Sequence, residues 1–147
     1  MKPAKSGKQG WEADFPVREE VEDYAGKLRV FTITCHEGGL GFTVRATEEA
    51  TKGAGYEYEA YSETSPYSAL GRVRRKMYRG LATRHLSGQP GRYRMLHERL
   101  RGRIGSDGKG GVVLIVDGVP LDIDNLSSIL ATHEGWCFEL QIVDTLE

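Results

Sequence analysis

The stretch between Ser65 and Gly88 constrains the fold most, because it is the longer of two helical patterns and strand patterns flank it on both sides. Ser65 caps free backbone N–H groups and Pro66 suits the first turn, so the pair marks a helix start. The apolar side chains that recur along it at helical spacing are Leu70, Val73, Met77 and Leu81. We therefore predict a helix that ends near Gly88 and packs this stripe on a sheet.

The rest of the chain is rich in strand patterns, in which apolar residues alternate with polar ones or form short runs. The stretches that read as strands are residues 27–36, 42–46, 56–62, 100–104, 112–116 and 136–142. Asp122 or Asp124 caps a short second helix that Gly135 ends. The predicted order is βββαββαβ. Because regular βαβ alternation is absent, we expect an α+β fold, a mostly antiparallel sheet with two helices packed on one side.

The length of 147 residues suits one domain with a packed core. Residues 1–26 are predicted to be a flexible tail followed by an acidic arm, and residues 27–147 a single α+β domain. The arm has six acids against Arg18 alone, but it also carries Trp11 and Phe15. Large aromatic residues are unusual in a solvated linker. We expect partial order at best, with the arm docked on the domain or on a second chain.

Several classes of protein are disfavoured by the composition. The longest uninterrupted apolar run, Val112 to Val116, is far shorter than the roughly 20 residues that span a bilayer. The N-terminus lacks the apolar core of a secretory signal. Cys35 and Cys137 are isolated, and such cysteines are typically reduced core residues. We predict a cytoplasmic protein without a membrane partner.

Three short motifs carry a resemblance to a known family. They are Arg101-Gly102-Arg103-Ile104, Ile115-Val116-Asp117-Gly118, and the run from Glu134 to Ile142, EGWCFELQI. With them the chain resembles an uncharacterised bacterial domain family over residues 28–144, and the resemblance implies no known activity. Some relatives place a cysteine-rich, zinc-binding segment before this domain, where this chain has its acidic arm and no cysteine. Orphan domains of this kind also occur in mobile gene cassettes.

Charge is unevenly distributed along the chain. Residues 72–103 hold 11 Lys and Arg against one acid, a net +10, whereas the remainder holds nine cations against 20 acids, a net −11. At 100° per residue, four cations of the first helix share about a third of its circumference, opposite the apolar stripe. These four are Arg72, Arg75, Lys76 and Arg79. They predict a salt-sensitive surface for nucleic acid or another polyanion; the alternative is a solvated face partly matched by the arm's acids.

Three further positions are candidates for a ligand pocket or for buried ion pairs. Arg74 and Arg84 project onto the apolar stripe, where a guanidinium loses hydration unless a partner meets it. The acids expected to pair with them are Glu57, Glu59 and Glu139. A substrate anion is the alternative partner. His133 lies near the C-terminus of the second helix, on its apolar face. It is either a structural residue or part of a ligand site.

Motifs for catalysis, metals and cofactors are weak. Cys35, His36, His133 and Cys137 have the right chemistry for zinc, but structural zinc sites usually take ligands in close pairs from turns. The glycine-rich stretch 105–111 lacks the Gly-Lys-Ser/Thr ending of a phosphate loop. No Ser, His and Asp set forms a recognised local motif. We predict no metal and no cofactor, and the sequence leans away from an enzyme.

These patterns lead to three hypotheses for function. The first is a non-enzymatic interaction domain that forms a homo-oligomer or binds a protein partner through its sheet or its acidic arm. The second is binding of nucleic acid or another polyanion by the cationic helix face, with nearby tyrosines available for base stacking. The third is a small enzyme or a pocket for an anionic ligand.

Overall fold

The structure, a computed structural model, describes residues 10–49 and 54–146. Residues 1–9 of the predicted tail lie outside the described residues. The strands are β1 (Val17–Glu22), β2 (Leu28–Gly38), β3 (Gly41–Glu48), β4 (Glu57–Ser62), β5 (Leu86–Ser87), β6 (Arg94–Met95), β7 (Gly102–Ser106), β8 (Val112–Val116) and β9 (Val119–Leu121). The helices are α1 (Pro66–Ala82) and α2 (Ile123–Leu130), and short 3₁₀ turns span Gly10–Asp14 and Ala131–His133. The predicted α+β class is confirmed.

The first sheet has four antiparallel strands in the order β1-β2-β3-β4. Alternation along β2 sends Phe31 and Ile33 into the core, where neither has solvent exposure. Val44 and Ala46 of β3 face the same side, and Ile33 is paired directly with Ala46. The core of this half of the chain therefore lies between one sheet face and α1.

Helix α1 begins as predicted and ends earlier than predicted. The Ser65 hydroxyl accepts a hydrogen bond from the Tyr67 N–H at 3.0 Å, and Pro66 occupies the first turn. The buried side of the helix carries Ala69, Val73, Met77 and Leu81, with Leu70 partly buried. At Thr83 the backbone becomes extended, with φ −105° and ψ 127°, so the helix does not reach Gly88.

The second half of the chain has its own sheet and core. Strands β7, β8 and β9 form a three-stranded antiparallel sheet, and β5 and β6 form a separate short ladder. The predicted hairpin is present, because β7 pairs with β8. Helix α2 begins at a capping box in which Asp122 and Asn125 each accept the other's backbone N–H, at 2.8 and 3.1 Å. The buried residues of this second core are Leu86, Val116, Leu121 and Ile129.

The prediction of one sheet with both helices on one side was wrong. Helix α1 packs on the first sheet, whereas α2 packs with the second core. The outer edge of β4 explains why the first sheet stops there: Arg72 donates to the Tyr61 carbonyl at 2.9 Å and Lys76 donates to the Glu59 carbonyl at 2.6 Å. An edge whose carbonyls already accept side-chain donors does not offer them to another strand.

The observed order also differs from βββαββαβ at both ends and between the helices, where five strands replace the two predicted. Residues 17–22 of the acidic arm form β1, in register with β2, with Val17 opposite Ile33. Ahead of β1, Trp11 packs edge-on against Phe15 and Phe42 at centroid distances of 6.2 and 5.7 Å. The arm is thus docked on the first sheet. The predicted last strand, 136–142, is not a strand, because no edge among residues 10–49 and 54–146 pairs with it.

Candidate interaction surface

The residues predicted to form the last strand, together with Val143, carry five exposed apolar side chains close together in sequence. We call residues 136–143 the C-terminal segment. The exposed fractions of its apolar side chains are 66% for Trp136, 87% for Phe138, 78% for Leu140, 67% for Ile142 and 52% for Val143. Monomeric proteins seldom leave contiguous large apolar side chains in water, and such patches mark interaction sites.

Both ends of the C-terminal segment are held by contacts. At the first end, the His133 and Trp136 rings meet edge-on with centroids 4.8 Å apart, and the Trp136 N–H donates to the His133 carbonyl at 2.9 Å. Just beyond the second end, the Thr145 hydroxyl donates to Glu59 at 2.7 Å and Lys76 donates to the Thr145 carbonyl at 2.8 Å. The exposed residues are therefore presented between two anchors, which lowers the entropy that binding removes.

The second anchor places Lys76 among opposing charges. Burial, with the positive charges of Arg72 and Arg101, lowers the pKa of Lys76 below that of a solvated lysine, against the opposite effect of Glu59 and Asp144. The Lys76 ammonium group donates hydrogen bonds to two backbone carbonyls, those of Glu59 and Thr145. This lysine of α1 therefore links β4 to Thr145, just beyond the C-terminal segment.

A second exposed apolar area lies on the β7–β8 hairpin. Ile104 is 56% exposed and Val112 is 62% exposed. Ile104 is paired with Leu114 across the ladder, and Val112 lies two residues from Leu114, so the three side chains share one face. Among the described strands, β7 has a neighbour on one side only. Arg99 and Arg101, which come just before β7 in the chain, are exposed.

The four cations predicted to form a polyanion face do not behave alike. Arg72 and Lys76 bind backbone carbonyls of β4, as described above. Arg75 and Arg79 are exposed, and neither guanidinium has an ion pair within the part of the chain that the structure describes. Two of the four positions are therefore presented to solvent with their charge free.

Arg74, Arg84 and His133 each have a partner of their own. Arg74 pairs with Glu19 of β1 through both Nε, at 2.8 Å, and a second guanidinium nitrogen. Glu19 was not among the acids expected from the sequence. Arg84 donates to the Leu86 carbonyl at 2.6 Å and lies over the Tyr24 ring. His133 lies in the 3₁₀ turn after α2, with Nε2 3.8 Å from a Glu98 carboxylate oxygen. No hydrogen bond or ion pair joins any two of the three.

Sequence reasoning missed a buried ion cluster at one end of the first sheet, where β1 ends, β2 begins and β3 ends. Arg29 contacts Asp23 at 3.0 Å and Glu48 at 3.1 Å, and both carboxylates are almost fully buried. Asp23 also accepts the backbone N–H groups of Ala25 and Lys27 at 2.8 and 3.0 Å. The partners of Asp23 are close in sequence, so an acid at the start of the turn that follows β1 was the available signal.

A second missed feature is Asp117, which holds the segment that follows α1 against the turn between β8 and β9. Its carboxylate accepts the backbone N–H groups of His85 and Leu86 at 2.9 and 2.8 Å and contacts His85 Nδ1 at 3.0 Å. Burial, together with the Asp117 charge, raises the pKa of the nearby Tyr56 phenol. In the sequence, Asp117 stands out only as part of the Ile115-Val116-Asp117-Gly118 motif.

A depression of about 360 Å³ lies on the open face of the first sheet. Its lining residues are Thr34, His36, Thr43 and Arg45. Arg45, the cation there, already contacts Glu59 at 2.6 Å through Nε and lies 3.7 Å from Glu57. Its charge is therefore matched within the chain.

Comparison with known proteins divides the chain at the end of α1. Residues 13–82 match the model of a domain of unknown function, DUF7686, and residues 85–147 match that of another, DUF7713. Neither curated proteins nor solved structures gave a match. Among the described residues, no helix has the length and apolarity to cross a membrane, and no three His, Cys, Asp or Glu side chains gather as metal ligands.

Proposed function

We propose that the protein is a non-enzymatic interaction domain that self-associates through its C-terminal segment. The observation that carries the proposal is the exposure of Trp136, Phe138, Leu140 and Ile142, four alternating apolar side chains between two anchors. Burying such side chains yields roughly 25 cal/mol per Å² of apolar surface. The acidic arm, the other contact considered from the sequence, is engaged with the first sheet of its own chain.

Replacement of Phe138 and Leu140 by serine is expected to abolish self-association at working concentrations. Central apolar side chains dominate binding energy, and each contributes twice in a symmetric dimer, so the dissociation constant rises by about 100-fold or more. Light scattering coupled to size exclusion, from low to high protein concentration, measures it. Ile123→Ser is the matched control, since Ile123 is equally exposed but lies on α2. A wild-type chain that is monomeric at every concentration and salt contradicts the proposal.

Binding of nucleic acid or another polyanion is the second candidate, supported by the free charges of Arg75 and Arg79 and by the exposed rings of Tyr67 and Tyr78 on α1. Cations bind phosphates with release of counterions, and exposed rings stack bases. Charge reversal, Arg75→Glu with Arg79→Glu, is expected to weaken binding of a single-stranded oligonucleotide by about 10-fold and to lower its salt slope by about 2.

Fluorescence anisotropy at two or more salt concentrations measures that effect. The matched control reverses two exposed arginines away from α1, Arg92 and Arg94. An equal loss in the two variants shows that the helix face has no special part in binding. No binding by the wild type at low salt rejects this candidate outright.

A further inference from the structure

We infer that the C-terminal segment of one copy adds as a strand to the free edge of β7 in a second copy, and that the second copy does the same in return. The inference rests on the proposed self-association and names the surface that receives the segment. Strand addition to an exposed sheet edge is a common mode of recognition, in which main-chain hydrogen bonds supply affinity and alternate side chains supply specificity.

The backbone on both sides is available for this pairing. No backbone hydrogen bond holds residues 137–143 to any other described residue. Within residues 10–49 and 54–146, β7 pairs only with β8, and its other edge has no strand partner there. The opposite edge of the same sheet, β9, contains Pro120, which cannot donate a ladder hydrogen bond. Of the two edges, β7 is therefore the one fitted to accept a strand.

The apolar faces of the two elements correspond. In a strand, Trp136, Phe138, Leu140 and Ile142 lie on one side, because side chains alternate with a period of two. The β7–β8 hairpin offers Ile104 and Val112 on one face, each more than half exposed. When the segment pairs with the β7 edge, its apolar face lies next to the apolar face of the hairpin. The two sets of apolar side chains then shield each other from water.

The charges of the two elements are opposite. Residues 134–144 contain three acids, Glu134, Glu139 and Asp144, and no Lys or Arg. Residues 92–103, which lead into β7, contain five arginines and one acid. Complementary charge favours this pairing over others and fixes its register. A second copy of the chain supplies both members of the match, whereas any other partner has to supply a basic, apolar strand edge.

The area involved suits a dimer of identical chains. Trp and Phe side chains bury about 150–250 Å² each, so the four rings from two segments account for roughly half of a 1,200–2,000 Å² interface. The backbone, the aliphatic side chains and the β7–β8 platform of each copy supply the rest. A two-fold axis uses each surface twice, which is the usual form of a homodimer.

The test is a charge swap between the two elements. One variant carries Glu134→Lys and Glu139→Lys; the other carries Arg99→Glu and Arg101→Glu. Each variant alone places like charges together at both contacts, and we expect its dimer to be about 10-fold weaker than the wild type at low salt. Mixed together, the two variants place opposite charges at both contacts, so a heterodimer forms with an affinity within about threefold of the wild type.

The matched control reverses two exposed arginines of α1, Arg75→Glu with Arg79→Glu, and its dimer keeps the wild-type affinity. Circular dichroism of each variant establishes that it folds. If the wild type dimerises but neither variant alone weakens the dimer, the β7 docking is wrong and self-association stands. The same holds if mixing the two variants does not restore the dimer. A wild type that is monomeric throughout overturns both.

Discussion

Replacement of Arg29 by methionine is expected to lower the free energy of unfolding by about 3–5 kcal/mol, the usual cost of leaving a buried charge without its partner. The guanidinium contacts Asp23 and Glu48, whose side chains are only 2% and 6% exposed. Methionine keeps much of the length of the side chain but neutralises neither carboxylate. Urea denaturation at neutral pH, followed by circular dichroism, measures the loss.

The control for Arg29 is Arg18→Met, because Arg18 pairs with Glu49 on the surface at the same 3.0 Å distance. Its side chain is 64% exposed, and an exposed ion pair contributes little to stability because water screens it. Equal losses in the two variants contradict the account, since burial and not the mere presence of an ion pair is the stated cause.

The Arg29 effect also depends on pH. Burial alone raises the pKa of Asp23, but the Ala25 N–H, Arg29 and the Lys27 N–H outweigh it and hold that pKa below its ordinary value. A lowered folded-state pKa stabilises above the unfolded value, about 3.9, and this stabilisation is lost as pH falls through the folded-state value. A protonated Asp23 carboxyl no longer needs the guanidinium, so the difference between wild type and Arg29→Met shrinks below about pH 4. A difference that stays constant from pH 7 to pH 3 contradicts this origin.

Local periodicity was enough to predict the α+β class and several elements. The α1 stripe of Val73, Met77 and Leu81 is buried as predicted, and the hairpin of β7 and β8 forms where the sequence places it. These features depend on neighbours within a few residues, which a period of 3.6 or 2 records directly. The early end of α1 depends instead on the capture of His85 and Leu86 by Asp117, 31 or more residues away.

Long-range polar partners explain most of what the sequence could not supply. The partner of Arg74 is Glu19, 55 residues earlier and in an arm that was expected to be poorly ordered. Lys76 and Arg72 were correctly placed on the helix surface, but their carbonyl partners on β4 follow from the packing of the helix across a strand edge. No local pattern encodes such a contact. The alternation of residues 136–142 likewise predicts a strand, but it does not indicate which strand edge this segment pairs with.

Replacement of Asp117 by alanine is expected to cost about 3 kcal/mol. Its carboxylate is 5% exposed and accepts two backbone N–H groups, each of which costs about 1–3 kcal/mol when left buried without a partner. The residue also has a φ of 54°, in the left-handed region that Asp and Asn tolerate better than Ala. Asp117→Asn is the matched control, since it keeps an acceptor oxygen and tolerates this φ, and a smaller loss is expected.

Asp117 also bears on whether residues 27–147 form one domain, as we propose. The two halves have separate cores, and the Gly55 N–H of the first half donates to the Gly118 carbonyl of the second at 2.9 Å. Asp117 precedes Gly118 and holds this turn in place through His85 and Leu86 of the same half. The bond between Gly55 and Gly118 couples the halves, and loss of the Asp117 hydrogen bonds loosens the turn that makes it. The wild type is therefore expected to unfold in a single transition and Asp117→Ala in two.

Tryptophan fluorescence distinguishes the two halves, because Trp11 packs on the first core and Trp136 contacts His133 in the second half. With the other tryptophan changed to phenylalanine, each reports one half during urea denaturation. With Asp117 in place, we expect the two tryptophans to report the same urea midpoint. In Asp117→Ala, we expect the two midpoints to differ. Midpoints that already differ with Asp117 in place mean that the halves are independent domains, and the junction then contributes only to local stability.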